Sequence, residues 1–234
     1  MHSVETFGAV DGPGVRYVLF LQGCPLRCLY CHNPDSWKLT DGKKTDSKRV
    51  FDDIMTYYSF IKYGGVTLSG GDPLLQPEFS SDILRRCKVI GLHTAVDTAG
   101  FAELEKTIKV LEYTDLLLLD IKALEDELCR KITGQSGERA RAILDYCESV
   151  SKPVWVRHVI VPGLTLDYKM LAKLAEYLSG FKCIEKAEVI PFHKMGEYKW
   201  EGIGSEYTLK DTPAPTEEET EKARQIFASK GLKI

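Results

Sequence analysis

The chain of 234 residues has little that would tie it to a membrane or to nucleic acid. Its longest apolar stretch, DLLLLDI at 115–121, falls far short of the roughly 18 residues that a spanning helix needs. Thirty-one Lys and Arg face 34 Asp and Glu, a net charge of −3, so no positive field exists to gather phosphates. Neither a nucleic-acid partner nor a membrane partner is expected. The opening MHSVETFGAVDGPG lacks the basic start and apolar core of a secretory leader, and a cytoplasmic location is expected. In that reducing compartment the seven cysteines read as thiols or metal ligands rather than disulfides. No internal repeat and no low-complexity tract is present.

What is present is a recurring pair, a short apolar run followed by an amphipathic stretch. RYVLFLQ (16–22), GVTLSGG (65–71), HTAVDTAG (93–100), DLLLLDIK (115–122), VWVRHVIV (154–161) and KAEVIPFH (186–193) read as six strands. Helices are predicted between them, at about 47–61, at 77–90, ending near 111, up to about 150, and at 167–178. A polar hairpin-like segment then leads to a last helix ending near 230. Such alternation implies parallel βαβ units, and continuous Val, Leu and Ile runs suit strands covered on both faces. Six units fall short of the eight that close a TIM barrel. The fold class expected is α/β, either a (β/α)6 partial TIM barrel or a doubly wound sheet, in a single domain over 1–234 with a C-terminal extension from about 194.

Polar groups cluster where the strands end. Gly70, Gly71 and Asp72 follow the second strand, Asp97 and Thr98 the third, Asp120 and Lys122 the fourth, and His193 the sixth, while Arg157 lies within the fifth. Polar residues also mark any place where a buried strand meets a loop. Taken as a set they favour one site, because a barrel-like sheet gathers its strand C-termini at one mouth.

The most specific feature is the loop GCPLRCLYCH (23–32), with Cys24, Cys28 and Cys31 spaced C-x3-C-x2-C and no fourth cysteine nearby. Three thiols so close in one loop are hard to ascribe to chance burial. Structural zinc wants four ligands in a tetrahedron, and His32, as neighbour of Cys31, is poorly placed to be the fourth. CLYCH matches the c-type haem pattern, but leaves Cys24 unexplained and lacks an export signal. A redox dithiol leaves one thiol over. An iron–sulfur cubane normally takes four cysteines; with three, one iron lacks a protein ligand and can bind a substrate or cofactor.

C-x3-C-x2-C after the first strand of a six-unit β/α chain resembles the radical S-adenosylmethionine (SAM) superfamily. The segments HSVETFGAVDGPGVRYVLFLQGCPLRCLYCHNPDSW, GGVTLSGGDPLLQPEF, GLHTAVDTAGF, TDLLLLDIK, VWVRHVIVPG and IPFHKMGEYKW, in this order, resemble the glycyl-radical-enzyme activating family within it. The resemblance implies the (β/α)6 partial barrel, one [4Fe-4S] cluster and SAM. It implies an activase that cleaves SAM reductively and takes hydrogen from a glycine α-carbon of a partner, expected to be pyruvate formate-lyase, with flavodoxin or ferredoxin as electron donor. An activase of another glycyl-radical enzyme and a non-catalytic iron–sulfur or zinc protein are the alternatives.

Residue by residue, the resemblance implies Cys24, Cys28 and Cys31 as cluster ligands and Tyr30 as a ring packed against adenine. Gly70 and Gly71 would let backbone approach the methionine end of SAM. Asp72 stands where the family usually has glutamate. Asp97, Asp120, Lys122, Arg157 and His193 would lie around SAM, His193 near the ribose. Asp97 and Asp120 with the carbonyls of Thr98 and Leu118 would form a monovalent-cation site. Asp11, in the turn sequence VDGPG, would lie where the partner's glycine loop docks. Cys87, Cys129, Cys147 and Cys183 are scattered and read as structural, and His2, His93 and His158 as non-catalytic.

Overall fold

A computed structural model describes all 234 residues. The chain forms two compact units, Met1–Pro25 with Ser36–Leu118 and Leu26–Asp35 with Leu119–Ile234. Seven strands join in one sheet whose order follows the chain, β1 to β7.

In the first unit, β1 (Ser3–Gly8) pairs antiparallel with β2 (Arg16–Leu21). β3 (Gly65–Gly70) lies parallel to β2, with Arg16 opposite Gly65 and Leu21 opposite Gly70, and β4 (Thr94–Thr98) lies parallel to β3. The apolar runs RYVLFL and GVTLSG are buried along nearly their whole length, as strands covered on both faces must be. The start of β5 (Leu116–Asp120) follows Asp115, whose N–H donates to the Thr94 carbonyl at 2.9 Å. The helices of this unit are α1 (Ser47–Thr56), α2 (Tyr58–Ile61), α3 (Pro77–Val89) and α4 (Leu104–Leu111). α3 packs against both α1 and α4. Asp46 caps α1 by accepting the Arg49 N–H at 2.8 Å, an interaction whose loss typically costs about 1 kcal/mol.

Arg16 organises the entry to β2. It is fully buried, and its guanidinium donates to Thr67 Oγ1 at 2.6 Å and to the carbonyls of Pro13, Gly64 and Val66. Thr67 Oγ1 in turn donates to the Asp11 carbonyl at 2.7 Å. Burial lowers the arginine to a pKa of about 10, so it stays charged at neutral pH. The turn that carries Asp11 is therefore latched to β3 by backbone and buried-cation hydrogen bonds.

In the second unit, β6 (Val154–Ile160) and β7 (Ile184–Pro191) run parallel. Around them lie α5 (Asp126–Thr133), α6 (Glu138–Ser149), α7 (Tyr168–Leu178), α8 (Glu197–Gly202) and α9 (Glu217–Ala228). α9 starts in a capping box, Thr216 Oγ1 accepting the Glu219 N–H while Glu219 accepts the Thr216 N–H. It packs on α7 and β7, with Ala223 and Phe227 buried. The Ala187 N–H donates to the Lys233 carbonyl at 2.8 Å, so the C-terminal tail covers part of the β7 edge.

The sheet thus has the six expected strands and one more. β1, SVETFG, carries no apolar run; its alternating, half-exposed pattern belongs to an edge strand with one solvated face. The helix expected over 47–61 is broken at Tyr57. The hairpin-like segment near 200 contains a short helix, α8, instead.

Candidate active site

The cysteine loop leaves the C-terminal end of β2. Its first part belongs to the first unit: the Gly23 N–H donates to the Ser36 carbonyl at 2.7 Å and the Cys24 N–H to the Trp37 carbonyl at 3.1 Å. Its second part belongs to the second unit, where the Arg27 and Leu29 N–H groups donate to the carbonyls of Thr133 and Ile132 at 2.9 and 3.0 Å. Those are the last carbonyls of α5, which a helix end cannot satisfy internally. The loop is thus held by backbone bonds at both ends. Its three cysteines form no disulfide, Cys28 being buried and Cys24 and Cys31 half-buried.

The turn after β3 meets the start of this loop. The Gly71 N–H donates to the Leu21 carbonyl and the Asp72 N–H to the Gly23 carbonyl, both at 2.8 Å. A Cβ on Gly70 would come within 2.4 Å of the Leu21 nitrogen, at a φ of +106°, and one on Gly71 within 2.1 Å of the Gly23 carbonyl oxygen. Only glycine fits at either position, and the close approach that demands it is to the protein's own backbone. The Asp72 carboxylate is 1% exposed and is engaged by the Leu74 N–H and the Thr98 hydroxyl. One residue earlier, Asp97 Oδ2 accepts a hydrogen bond from Ser69 Oγ at 2.8 Å. Cys24, Gly70, Gly71, Asp72, Asp97 and Thr98 are in this way supported within the first unit, to which Leu118 also belongs.

Within the second unit, Lys122 Nζ lies 2.9 Å from Asp120 Oδ2 and 5.4 Å from the centre of the Tyr30 ring. Burial alone would lower the lysine pKa, but the carboxylate of Asp120 outweighs it, and the ammonium is held charged. Burial raises the Tyr30 phenol well above its ordinary value. Arg157 Nε donates to Glu188 Oε2 at 2.9 Å, and Lys186 Nζ donates to the other oxygen of Glu188 at 3.0 Å. The His193 and His32 rings meet tilted by 35° with centres 4.2 Å apart, and His32 Nε2 donates to the His193 carbonyl at 3.0 Å. Asp11 stands apart in one respect: its turn precedes the N-terminal end of β2, whereas the cysteine loop follows the C-terminal end.

Three residues here carry no signal of their own in the sequence. Ser69, Glu188 and Trp200 each hold a predicted site residue, Trp200 Nε1 donating to the Cys31 carbonyl at 2.9 Å. His32, weighed above only as a metal ligand, instead contacts His193. Only the fixed segment IPFHKMGEYKW hinted that Trp200 belongs with His193.

The residues suit a thiolate-bound cluster and a polar, aromatic-binding cofactor. Three cysteines outside any disulfide are the right donors for an iron–sulfur cluster. The Tyr30 hydroxyl and His193 Nδ1 are buried without a hydrogen-bond partner, which in a native fold calls for an explanation such as a bound group. No three His, Cys, Asp or Glu side chains converge on a common metal position, so donor chemistry and spacing carry the fit.

A mostly parallel β/α sheet thus carries a three-cysteine loop after its first parallel strand. The radical SAM superfamily model matches residues 18–175. A pyruvate formate-lyase-activating enzyme of Clostridium pasteurianum is 42% identical, covering 97% of this chain and 96% of its own. That of Listeria monocytogenes serovar 1/2a is 41% identical, covering 100% and 97%. A solved domain of such an enzyme from Bacteroides vulgatus superposes with a TM-score of 0.61 at 30% identity, covering 73% of this chain and 96% of that one. The chain belongs to the radical SAM superfamily and, within it, to the pyruvate formate-lyase-activating enzyme family. Its cofactors are accordingly a [4Fe-4S] cluster and SAM.

Proposed function

We propose that this chain, as one functional domain, installs a glycyl radical on pyruvate formate-lyase. The observation that carries this reading is identity of 41% to a relative of that name along the entire chain. When bound, the cluster would supply the electron for reductive cleavage of SAM. The chain's part is to position, orient and exclude.

In this reading Cys24, Cys28 and Cys31 would hold the cluster. The Tyr30 ring packs against adenine, its hydroxyl available for a hydrogen bond. The Gly70–Gly71 turn presents its backbone to the methionine end, with Asp72 holding the turn rather than touching SAM. Lys122, kept cationic by Asp120, attracts the SAM carboxylate, and His193 Nδ1 faces the ribose. Asp97, Asp120 and the carbonyls of Thr98 and Leu118 hold a monovalent cation. Arg157, oriented by Glu188, serves the SAM side, and Asp11 contacts the partner's glycine loop. A small one-electron carrier such as flavodoxin or ferredoxin is the donor, and the setting is the cytoplasm.

The test is anaerobic reconstitution and reduction, followed by incubation with SAM and pyruvate formate-lyase. The expected result is 5'-deoxyadenosine and a glycine-centred doublet in electron paramagnetic resonance. SAM cleavage without a doublet on this partner, but with one on another glycyl-radical enzyme, would reassign the target. Absence of SAM cleavage from a fully loaded cluster would refute the reading.

A further inference from the structure

The segment that leaves β7 lies along the chain just after the last ligand cysteine. His32 Nε2 donates to the His193 carbonyl at 3.0 Å. A Cβ on Gly196 would come within 2.7 Å of the His32 Cα, so the two backbones touch. Lys199 Nζ donates to Asn33 Oδ1 at 2.7 Å and lies 3.5 Å from Asp35. Trp200, 5% exposed and packed 5.2 Å from the Tyr207 ring, donates its indole N–H to the Cys31 carbonyl at 2.9 Å. Four residues of 193–200 thus engage positions 31, 32, 33 and 35.

We propose that residues 193–200 form a strap that fixes the backbone of the third ligand cysteine, with Trp200 as the positioning residue. The inference rests on the assignment of Cys31 as a cluster ligand. Its physical reason is local. Between Cys31 and α1 the chain has only two three-residue 3-10 turns, Pro34–Ser36 and Leu39–Asp41, and no long regular element next to the thiol to hold it in place. A metal ligand must be held within about 0.5 Å of its working position, which usually requires hydrogen bonds to groups behind the ligand. The strap supplies one such bond to the ligand's own carbonyl and ties down the residues that follow.

The test uses Trp200→Phe, which deletes the N–H and keeps an aromatic ring against Tyr207. In the cluster-free full-length chain, the rate of Cys31 alkylation by iodoacetamide should rise several-fold while that of Cys24 is unchanged. In the anaerobically loaded protein, iron release to a chelator should be several-fold faster, and the cluster's midpoint potential should shift. Unchanged Cys31 labelling and iron release overturn the proposal. So does an equal rise at Cys24, because that reports general loosening. If Trp200→Phe does not fold by circular dichroism, Lys199→Met must raise Cys31 labelling in the same selective way, and failure to do so is equally fatal. Cys31→Ala separates this proposal from the assignment beneath it. A cluster retained at full iron content in that variant removes the ligand assignment, whereas selective labelling in Trp200→Phe speaks to the strap alone.

Discussion

The Thr98 hydroxyl lies 2.9 and 3.0 Å from the two carboxylate oxygens of Asp72, tying the end of β4 to the turn after β3. Asp72 Oδ1 also accepts the Leu74 N–H at 3.0 Å, and Thr98 Oγ1 accepts the Gly100 N–H at 2.9 Å. The acid at this position is therefore a staple inside the protein. Asp72→Ala should destabilise the cluster-free chain by about 1–3 kcal/mol, because buried donors lose their acceptor. Thr98→Val should cost a similar amount, and a double-mutant cycle in urea should give a coupling of at least about 0.5 kcal/mol. A coupling near zero would remove the staple. Asp72→Glu, the residue more usual in the family, must fit one more methylene into a buried site and should cost about 1–3 kcal/mol.

Much of this was legible in the sequence, for reasons that particular residues show. VLFL and VTLS suit strands covered on both faces, and three cysteines in one loop at C-x3-C-x2-C favour a ligand set. The residues that hold the site were not legible, because their partners are far away along the chain. Nothing near Glu188 announces Arg157, 31 residues earlier, and nothing near Trp200 announces the Cys31 carbonyl, 169 residues earlier. At Gly70 and Gly71 the nearest atoms that exclude a side chain are the backbone of Leu21 and Gly23, a contact the motif does not announce. The division into two compact units falls inside β5 and inside the cysteine loop, where no linker composition could mark it.

Lys122 and Asp120 form an ion pair with 11% and 22% side-chain exposure. Asp120→Asn leaves a buried ammonium without its counter-charge, and the expected loss is about 3–5 kcal/mol in denaturant unfolding. Adding Lys122→Met removes the stranded charge and should return most of that stability, while SAM cleavage stays absent if both groups serve SAM. A double variant no more stable than Asp120→Asn alone would show that the pair does not matter electrostatically. Recovery of SAM cleavage in it would remove both residues from the site.

The thiols divide into two groups by environment. Cys87 and Cys147 have no exposed surface, and burial pushes both up to a pKa of about 12. Alkylation requires the thiolate and access to it. Peptide mass spectrometry of the native cluster-free chain at pH 8 should therefore find Cys24 and Cys31 alkylated well before Cys87 and Cys147. Once a cluster is loaded, Cys24, Cys28 and Cys31 should all become protected. A native chain whose Cys87 reacts as fast as Cys31 would contradict the buried placement.

His158 gives the fold a dependence on pH. Its Nδ1 is 2.7 Å from the Ile121 carbonyl, so that nitrogen carries the proton, and the other, Nε2, is buried without a partner. Burial lowers its pKa below 6.5; nearby Lys122 lowers it too, while the Ile121 carbonyl and Asp120 oppose the shift. The folded state thus resists a proton that the unfolded chain accepts. Stability from this source is complete above about pH 6.5 and declines as the pH falls, by at most about 1.4 kcal/mol per pH unit for one proton. His32, also lowered by burial, adds to the same decline. Asp82 and Asp115, whose salt-bridged carboxylates lie below the usual range, respond only at lower pH. Urea unfolding between about pH 5 and pH 7.5 should therefore show a slope that His158→Phe reduces by about one proton's worth, the new ring remaining beside Phe227. An unchanged slope would mean that His158 takes up its proton without unfolding the chain, and that the lone nitrogen finds an acceptor when it does.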